Sequence, residues 1–137
     1  MRCFLSYSFQ TDVSVIKKIL SEYKVSYIDP VESLEYGSSI LPTISRQMKD
    51  SDFVIAVFDE STNVSFELGM AIASKKPIFI IVGEDARKEL PNYVEVLTYT
   101  LANPTDYEKI KYNFNFFLNN LPTKGDKISS NILESKH

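Results

Sequence analysis

The 137-residue chain has one cysteine, Cys3, one histidine, His137, and no tryptophan. A single thiol forms no internal disulfide, so the chain suits a reducing compartment such as the cytoplasm. Cys3 stands in the apolar run "RCFLSY", where a thiol reads as a small buried hydrophobe and not as a nucleophile. With its only imidazole on the last residue, the chain lacks a Cys–His pair and a Ser–His–Asp triad, and no metal site is expected. No apolar run approaches a membrane span, and the first residues do not read as a signal peptide. Glycine is also scarce, at four residues. None falls between the first strand and the first helix, which excludes a GxGxxG turn and a phosphate-binding loop there. The net charge of −3 offers no basic face for nucleic acid. The pairs Lys17–Lys18 and Lys75–Lys76 read as solvated helix surface. What remains for chemistry is carboxylates, hydroxyls, tyrosines and backbone amides.

What is present is ordinary for a globular chain: 44% hydrophobic and 24% charged residues. The length suits one domain with a proper core. The apolar segments alternate between strand-like runs and helical periodicity. "RCFLSY" reads as strand one. Val13, Ile16, Ile19, Leu20 and Tyr23 predict an amphipathic helix over 11–24. "VSYID" (25–29) is a second strand, followed by a loop over 30–37 that ends at Gly37. Ile40, Leu41, Ile44 and Met48 form the stripe of the next helix, with Pro42 tolerated near its first turn. "DFVIAVFD" (52–59) and "PIFIIVG" (77–83) are unbroken apolar runs, as expected of central strands buried on both faces. Between them a helix runs from near Asn63 to about Lys75. Residues 84–92 read as a short helix or loop, and 94–101 as an edge strand. Tyr107, Ile110, Phe114, Phe117, Leu118 and Leu121 mark the last helix. The folded unit spans 1–121, and 122–137 reads as a flexible polar tail.

Strand and helix thus alternate five times, which predicts an α/β fold. It is a flavodoxin-like three-layer sandwich whose five-stranded parallel sheet has the order 2-1-3-4-5 and helices on both faces. In such sheets ligands bind beyond the carboxyl ends of the strands, at the switch point between strands one and three. Ser6, Tyr7 and Ser8 leave strand one at that edge, with Thr11 or Asp12 available to cap the following helix. Asp29 ends strand two, where it either holds a ribose hydroxyl or simply makes a turn with Pro30; position favours the turn. Ser38 and Ser39 open the next helix as caps or as part of an anion site. Asp59 ends strand three, and "STNVSFELGMA" (61–71) opens the helix after it.

Glu67 is the one charge in that last stretch. A capping box would need Ser, Thr, Asp or Asn three residues earlier, and that residue is Val64. Asn63 lies four residues before Glu67 and shares its helix face. Val64, Phe66, Leu68, Ala71 and Ile72 on the other faces predict a largely buried helix, with Gly69 and Ala71 letting it approach the sheet closely. An acid placed there is partly desolvated. Beside a cleft it can act as a nucleophile or stabilise an oxocarbenium ion, the chemistry that breaks a bond between sugar carbon and base nitrogen.

"CFLSYSFQTD" and "YGSSILPTISRQMKDSDFVIAVFDES" resemble the first two signatures of TIR domains. "NVSFELGMAIASKKPIFIIV" is similar to the segment of the nucleoside 2-deoxyribosyltransferase-like group in which a glutamate precedes an apolar residue, glycine and a "KP" strand. Together the resemblances cover residues 2 to about 83. Both imply Glu67 as the catalytic residue. The first implies cleavage of the nicotinamide–ribose bond of NAD, by hydrolysis or cyclisation, in a prokaryotic-type enzyme of antiphage defence. NAD would then be substrate, with no separate cofactor. The second implies transfer of a deoxyribosyl group, with Tyr7 and Asp59 matching the group's tyrosine and aspartate. The transferases also carry an aspartate shortly before the glutamate, where Ser61 or Asn63 stands here. Three functions follow: NAD cleavage as the leading expectation; nucleoside or nucleotide N-glycosidase or transferase chemistry; and a non-enzymatic module that binds a nucleotide or assembles with itself. Ser6, Tyr7, Ser8, Asp29, Ser39, Asp59, Asn63 and Ser65 are the expected substrate-binding residues. The expected partners are a small nucleotide and a second copy or another protein, with neither nucleic acid nor membrane.

Overall fold

The computed structural model describes residues 1–33, 40–58, 62–85 and 98–122, with backbone alone at 32–33, 40–41 and 62–63. β1 (Arg2–Ser6) leads to α1 (Ser14–Glu22), β2 (Ser26–Ile28), α2 (Pro30–Ser33) and α3 (Ile40–Lys49). β3 (Phe53–Phe58), α4 (Thr62–Ala73), β4 (Ile78–Val82), β5 (Thr100–Leu101) and α5 (Tyr107–Asn119) complete the order. The sheet is parallel, as the alternation of elements leads one to expect, and its order β2-β1-β3-β4-β5 is the one expected from the sequence.

Strand alternation splits the core into two layers. Cys3, Leu5, Phe53, Ile55, Val57, Phe79 and Ile81 face α1 and α5, where Ile16, Ile19, Leu20, Ile110 and Phe114 meet them. Phe4, Val54, Ala56, Phe58, Ile80 and Val82 face α3 and α4, against Ile44, Met48, Val64, Leu68 and Ala71. Every residue of β3 and β4 is buried, which is why those runs carry no polar residue. Cys3 lies in the first layer, and burial pushes its thiol up to about 12. At neutral pH it is therefore a protonated, inert packing group.

Helix ends show how local chemistry sets the chain path. Asp12 accepts the backbone N–H of Ser14 at 2.9 Å and its hydroxyl at 2.7 Å, so it holds the start of α1. Lys24 (φ 57°) and Lys75 (φ 58°) adopt the left-handed conformation just after α1 and α4. The chain reverses there in the way a glycine more often permits. α2 replaces the first part of the loop expected over 30–37. Pro30 fits the first helical position, and Asp29 accepts the N–H of Val31 at 3.0 Å. The rest of that loop lies outside the described residues.

Three further expectations are corrected. The edge strand pairs only at Thr100 and Leu101, opposite Ile81 and Val82. Thr98 and Tyr99 stay outside the sheet, and 94–97 lie outside the described residues. The space left beside the first half of β4 is a groove of ≈ 360 Å³, walled by Phe116, Phe117 and Tyr99. α4 is not largely buried: Phe66 is 51% exposed and Ile72 40%, and a Cβ added at Gly69 would meet nothing within 4 Å. Ala71 alone of the two small residues faces the core. Finally, Lys17 and Lys76 are not simply solvated. Lys76 donates to the carbonyls of Ser51 (2.6 Å) and Lys49 (3.2 Å), and Lys17 belongs to the site described next.

Candidate active site

β1 lies between β2 and β3, so its carboxyl end sits at the point where the strand order reverses. Two consecutive residues leave the strand there in opposite directions. Ser6, fully buried, points into the α3/α4 layer and donates its hydroxyl to Oε1 of Glu67. Tyr7 points into the α1/α5 layer and donates its hydroxyl to Asp29 at 2.6 Å.

Glu67 sits in the second turn of α4 and is only 6% exposed. It reaches Ser6 because α4 follows β3, the strand beside β1. Burial raises its pKa above the ordinary carboxylate value, and the Ser6 hydrogen bond opposes that rise without cancelling it. Desolvation thus outweighs the Ser6 hydrogen bond. Among the described residues no cation pairs with Glu67. A buried acid beside a hydroxyl can accept or deliver a proton, or attack an electrophilic carbon when ionised.

Asp29 is equally buried but is held differently. Lys17 lies 2.8 Å from the oxygen that accepts Tyr7, and the other oxygen accepts the Val31 N–H. Lys17 flanks the apolar stripe of α1 rather than pointing away from it, with its Nζ also 5.5 Å from the ring centre of Tyr27. Its place four residues after Val13 was the available signal, and the surface-lysine reading overlooked it. Asp29 is therefore more than a turn residue: it ties α1, β1 and α2 together.

The remaining expected residues separate. Ser8 is half-buried. Its carbonyl accepts the N–H of Thr11 at 2.8 Å, and its hydroxyl accepts that of Gln10 at 3.4 Å, so it shapes the turn after β1. Ser65 lies on the outer side of α4, in an open groove with Phe66, Gly69 and Ile72. Asn63 is in the first turn of α4, its side chain outside the described set, and Ser39 and Asp59 lie outside the described residues. The sequence reading passed over Phe9. It is 78% exposed, three residues beyond Ser6 at the same edge of the sheet. An aromatic between polar Ser8 and Gln10 was its signal. No group of three potential metal ligands occurs among the described residues. The ≈ 360 Å³ groove beside α5 shares no residue with this site.

Fold and site together define a flavodoxin-like α/β protein with a buried carboxylate at the topological switch point. Two solved structures of this fold carry names that bear on chemistry. One is the CMP N-glycosidase of Clostridium botulinum, with a TM-score of 0.64, 17% identity, and coverage of 85% of this chain and 99% of that one. The other is a 2-deoxyribosyltransferase of Bacillus psychrosaccharolyticus, with a TM-score of 0.57, 18% identity, and coverage of 85% and 96%. No protein-family model matches the chain, so none supports a TIR domain, and no curated protein sequence matches it.

Proposed function

We propose that the protein cleaves the N-glycosidic bond of a nucleoside or nucleotide, or transfers its sugar, with Glu67 acting at the anomeric carbon. The observation that carries this reading is the Ser6–Glu67 contact: a buried acid with no cation beside it among the described residues, at the edge of the sheet where ligands bind. A purely structural acid at that depth is normally neutralised by a partner, as Asp29 is by Lys17.

In this mechanism an ionised Glu67 oxygen attacks C1′ of the sugar. The C1′–N bond breaks, its electron pair leaves on the base nitrogen, and the base takes a proton from solvent. Water then attacks C1′ and releases the carboxylate, its proton passing to solvent; a second base in place of water completes transfer. Ser6 fixes the carboxylate rotamer and stabilises its charge. Phe9 offers an exposed ring face to the base.

The likenesses favour nucleosides and nucleotides over NAD, because their names give CMP and 2-deoxyribosyl groups as substrates. NAD is the competing substrate in the same assay. Purified protein is incubated separately with CMP, with a 2′-deoxynucleoside plus a free base, and with NAD, and products are read by chromatography and mass spectrometry. Release or exchange of a nucleobase is expected, with Glu67→Gln reducing it at least about 10³-fold. Release of nicotinamide alone would move the activity to NAD. No turnover, or turnover undiminished in the variant, would overturn the role given to Glu67.

A further inference from the structure

Backbone pairing holds the end of β1 on one side. β1 pairs with β2 as far as Phe4, opposite Ile28. It pairs with β3 as far as Ser6, opposite Ala56. Among the described residues, Leu5 and Ser6 therefore have a strand neighbour toward β3 and none toward β2. Tyr7 lies beyond both ladders.

Side chains take over where the ladder toward β2 stops. Asp29, the first residue after β2, accepts the Tyr7 hydroxyl at 2.6 Å. The same oxygen lies 2.8 Å from Nζ of Lys17 on α1, and the other accepts the Val31 N–H at 3.0 Å. A carboxylate engaged at both oxygens keeps one orientation. The side chain of Asp29 is 4% exposed and that of Lys17 22%, so water screens their attraction less than at an open surface. This anchor fixes Tyr7, and successive strand residues point to opposite faces. With Tyr7 held in the α1/α5 layer, Ser6 is turned into the α3/α4 layer, where its hydroxyl meets Glu67. A hydrogen bond tolerates little misalignment, so that contact depends on how firmly β1 ends.

We infer that Lys17 and Asp29 are positioning residues for Ser6: through the Tyr7 hydroxyl they hold the end of β1 so that the serine hydroxyl stays on Glu67. Their importance to turnover rests on the role proposed above for Glu67, whereas the coupling itself is read without substrate. Burial raises the Glu67 pKa and the Ser6 hydrogen bond lowers it; neither Lys17 nor Asp29 acts on it directly. A loosened Ser6 therefore leaves Glu67 titrating at higher pH.

NMR titration of glutamate isotope-labelled at the carboxyl tests this, with Glu67 assigned by its absence in Glu67→Gln. Asp29→Asn is expected to raise the Glu67 midpoint by about 0.5 in pH, as the Ser6 hydrogen bond weakens. Charge alone predicts the opposite, because removing a negative charge lowers the pKa of another carboxyl. Tyr7→Phe changes no charge at neutral pH and is expected to give the same rise; it carries the test if Asp29→Asn does not fold. Lys17→Met is expected to follow, and Lys17→Arg to restore the natural midpoint. On a Ser6→Ala background all of these rises should vanish. Ile110→Ala, a destabilising truncation in the same core layer, is expected to leave the midpoint in place. An unchanged or lowered midpoint in Asp29→Asn, Tyr7→Phe or Lys17→Met, rises that persist without the serine, or an equal rise in Ile110→Ala would overturn the anchor. Shifts as expected in a protein that releases no nucleobase would keep the anchor and remove only the reaction assigned to Glu67.

Discussion

Ser6 and Tyr7 are neighbours in the chain, and each donates a hydroxyl to a buried acid, yet the two acids are held in opposite ways. Asp29 has a lysine, a tyrosine hydroxyl and a backbone N–H around it. Glu67 has Ser6, and its carboxyl is driven toward the neutral form by burial. The first arrangement compensates a charge and joins three elements. The second leaves a charge under-compensated, which costs stability and gives reactivity. Depth alone therefore does not separate the two acids. What separates them is that, among the described residues, Asp29 has a counter-ion and Glu67 has none.

The contrast can be broken most severely at Lys17. Lys17→Met takes the lysine charge away from buried Asp29, and a loss of about 3 kcal/mol is expected. Urea unfolding would show it as a lower midpoint with an unchanged slope. A change within about 0.5 kcal/mol, the scale of ordinary surface substitutions, would mean that the pair does not compensate the charge. At Glu67 the effect should reverse in sign and be smaller. Glu67→Gln removes a carboxylate whose folded pKa is raised, so ionisation costs stability as pH rises from the ordinary value of 4.5 through the raised one. The variant is expected to be more stable than the natural chain by about 1 kcal/mol at neutral pH. That gain should fade as pH drops below 4.5, where both side chains are neutral. Thermal unfolding at several pH values reads both the sign and its disappearance.

Ser6→Ala carries the smallest effect and sharpens the comparison most. The Ser6 hydrogen bond lowers the Glu67 pKa, so its loss raises that pKa further. A nucleophilic Glu67 must be ionised, and activity falls as pH falls through its pKa. The acid limb of the rate profile should therefore move to higher pH in the variant, while the rate at alkaline pH changes less. An unmoved acid limb would detach Ser6 from the ionisation of Glu67.

The sheet order and both core layers were legible because they rest on local periodicity and on chain-order rules. The α4 carboxylate was legible because no capping register explained it. What escaped the sequence depends on distances between elements. Lys17 and Asp29 belong to different elements, and nothing local ties a helix lysine to a strand-end aspartate. The exposure of Phe66 and Ile72 escaped for a related reason. A helix apolar on all sides reads as buried, and only the tertiary arrangement reveals which side lacks a cover. The short pairing of β5 was hidden because Thr98 and Tyr99 have strand-forming side chains while their backbones leave the sheet.

The alternation of β1 gives the molecule an uneven tolerance of length change. Deleting one residue within Arg2–Leu5 would exchange the layers that Ser6 and Tyr7 enter, so each hydroxyl would be sent away from its acid while the strand kept its apolar character. Beyond Tyr7 the same deletion would fall in a turn, where no side chain's destination depends on parity. A scan of single-residue deletions should therefore change abruptly at that boundary, and the step would locate the edge of the site by counting residues alone.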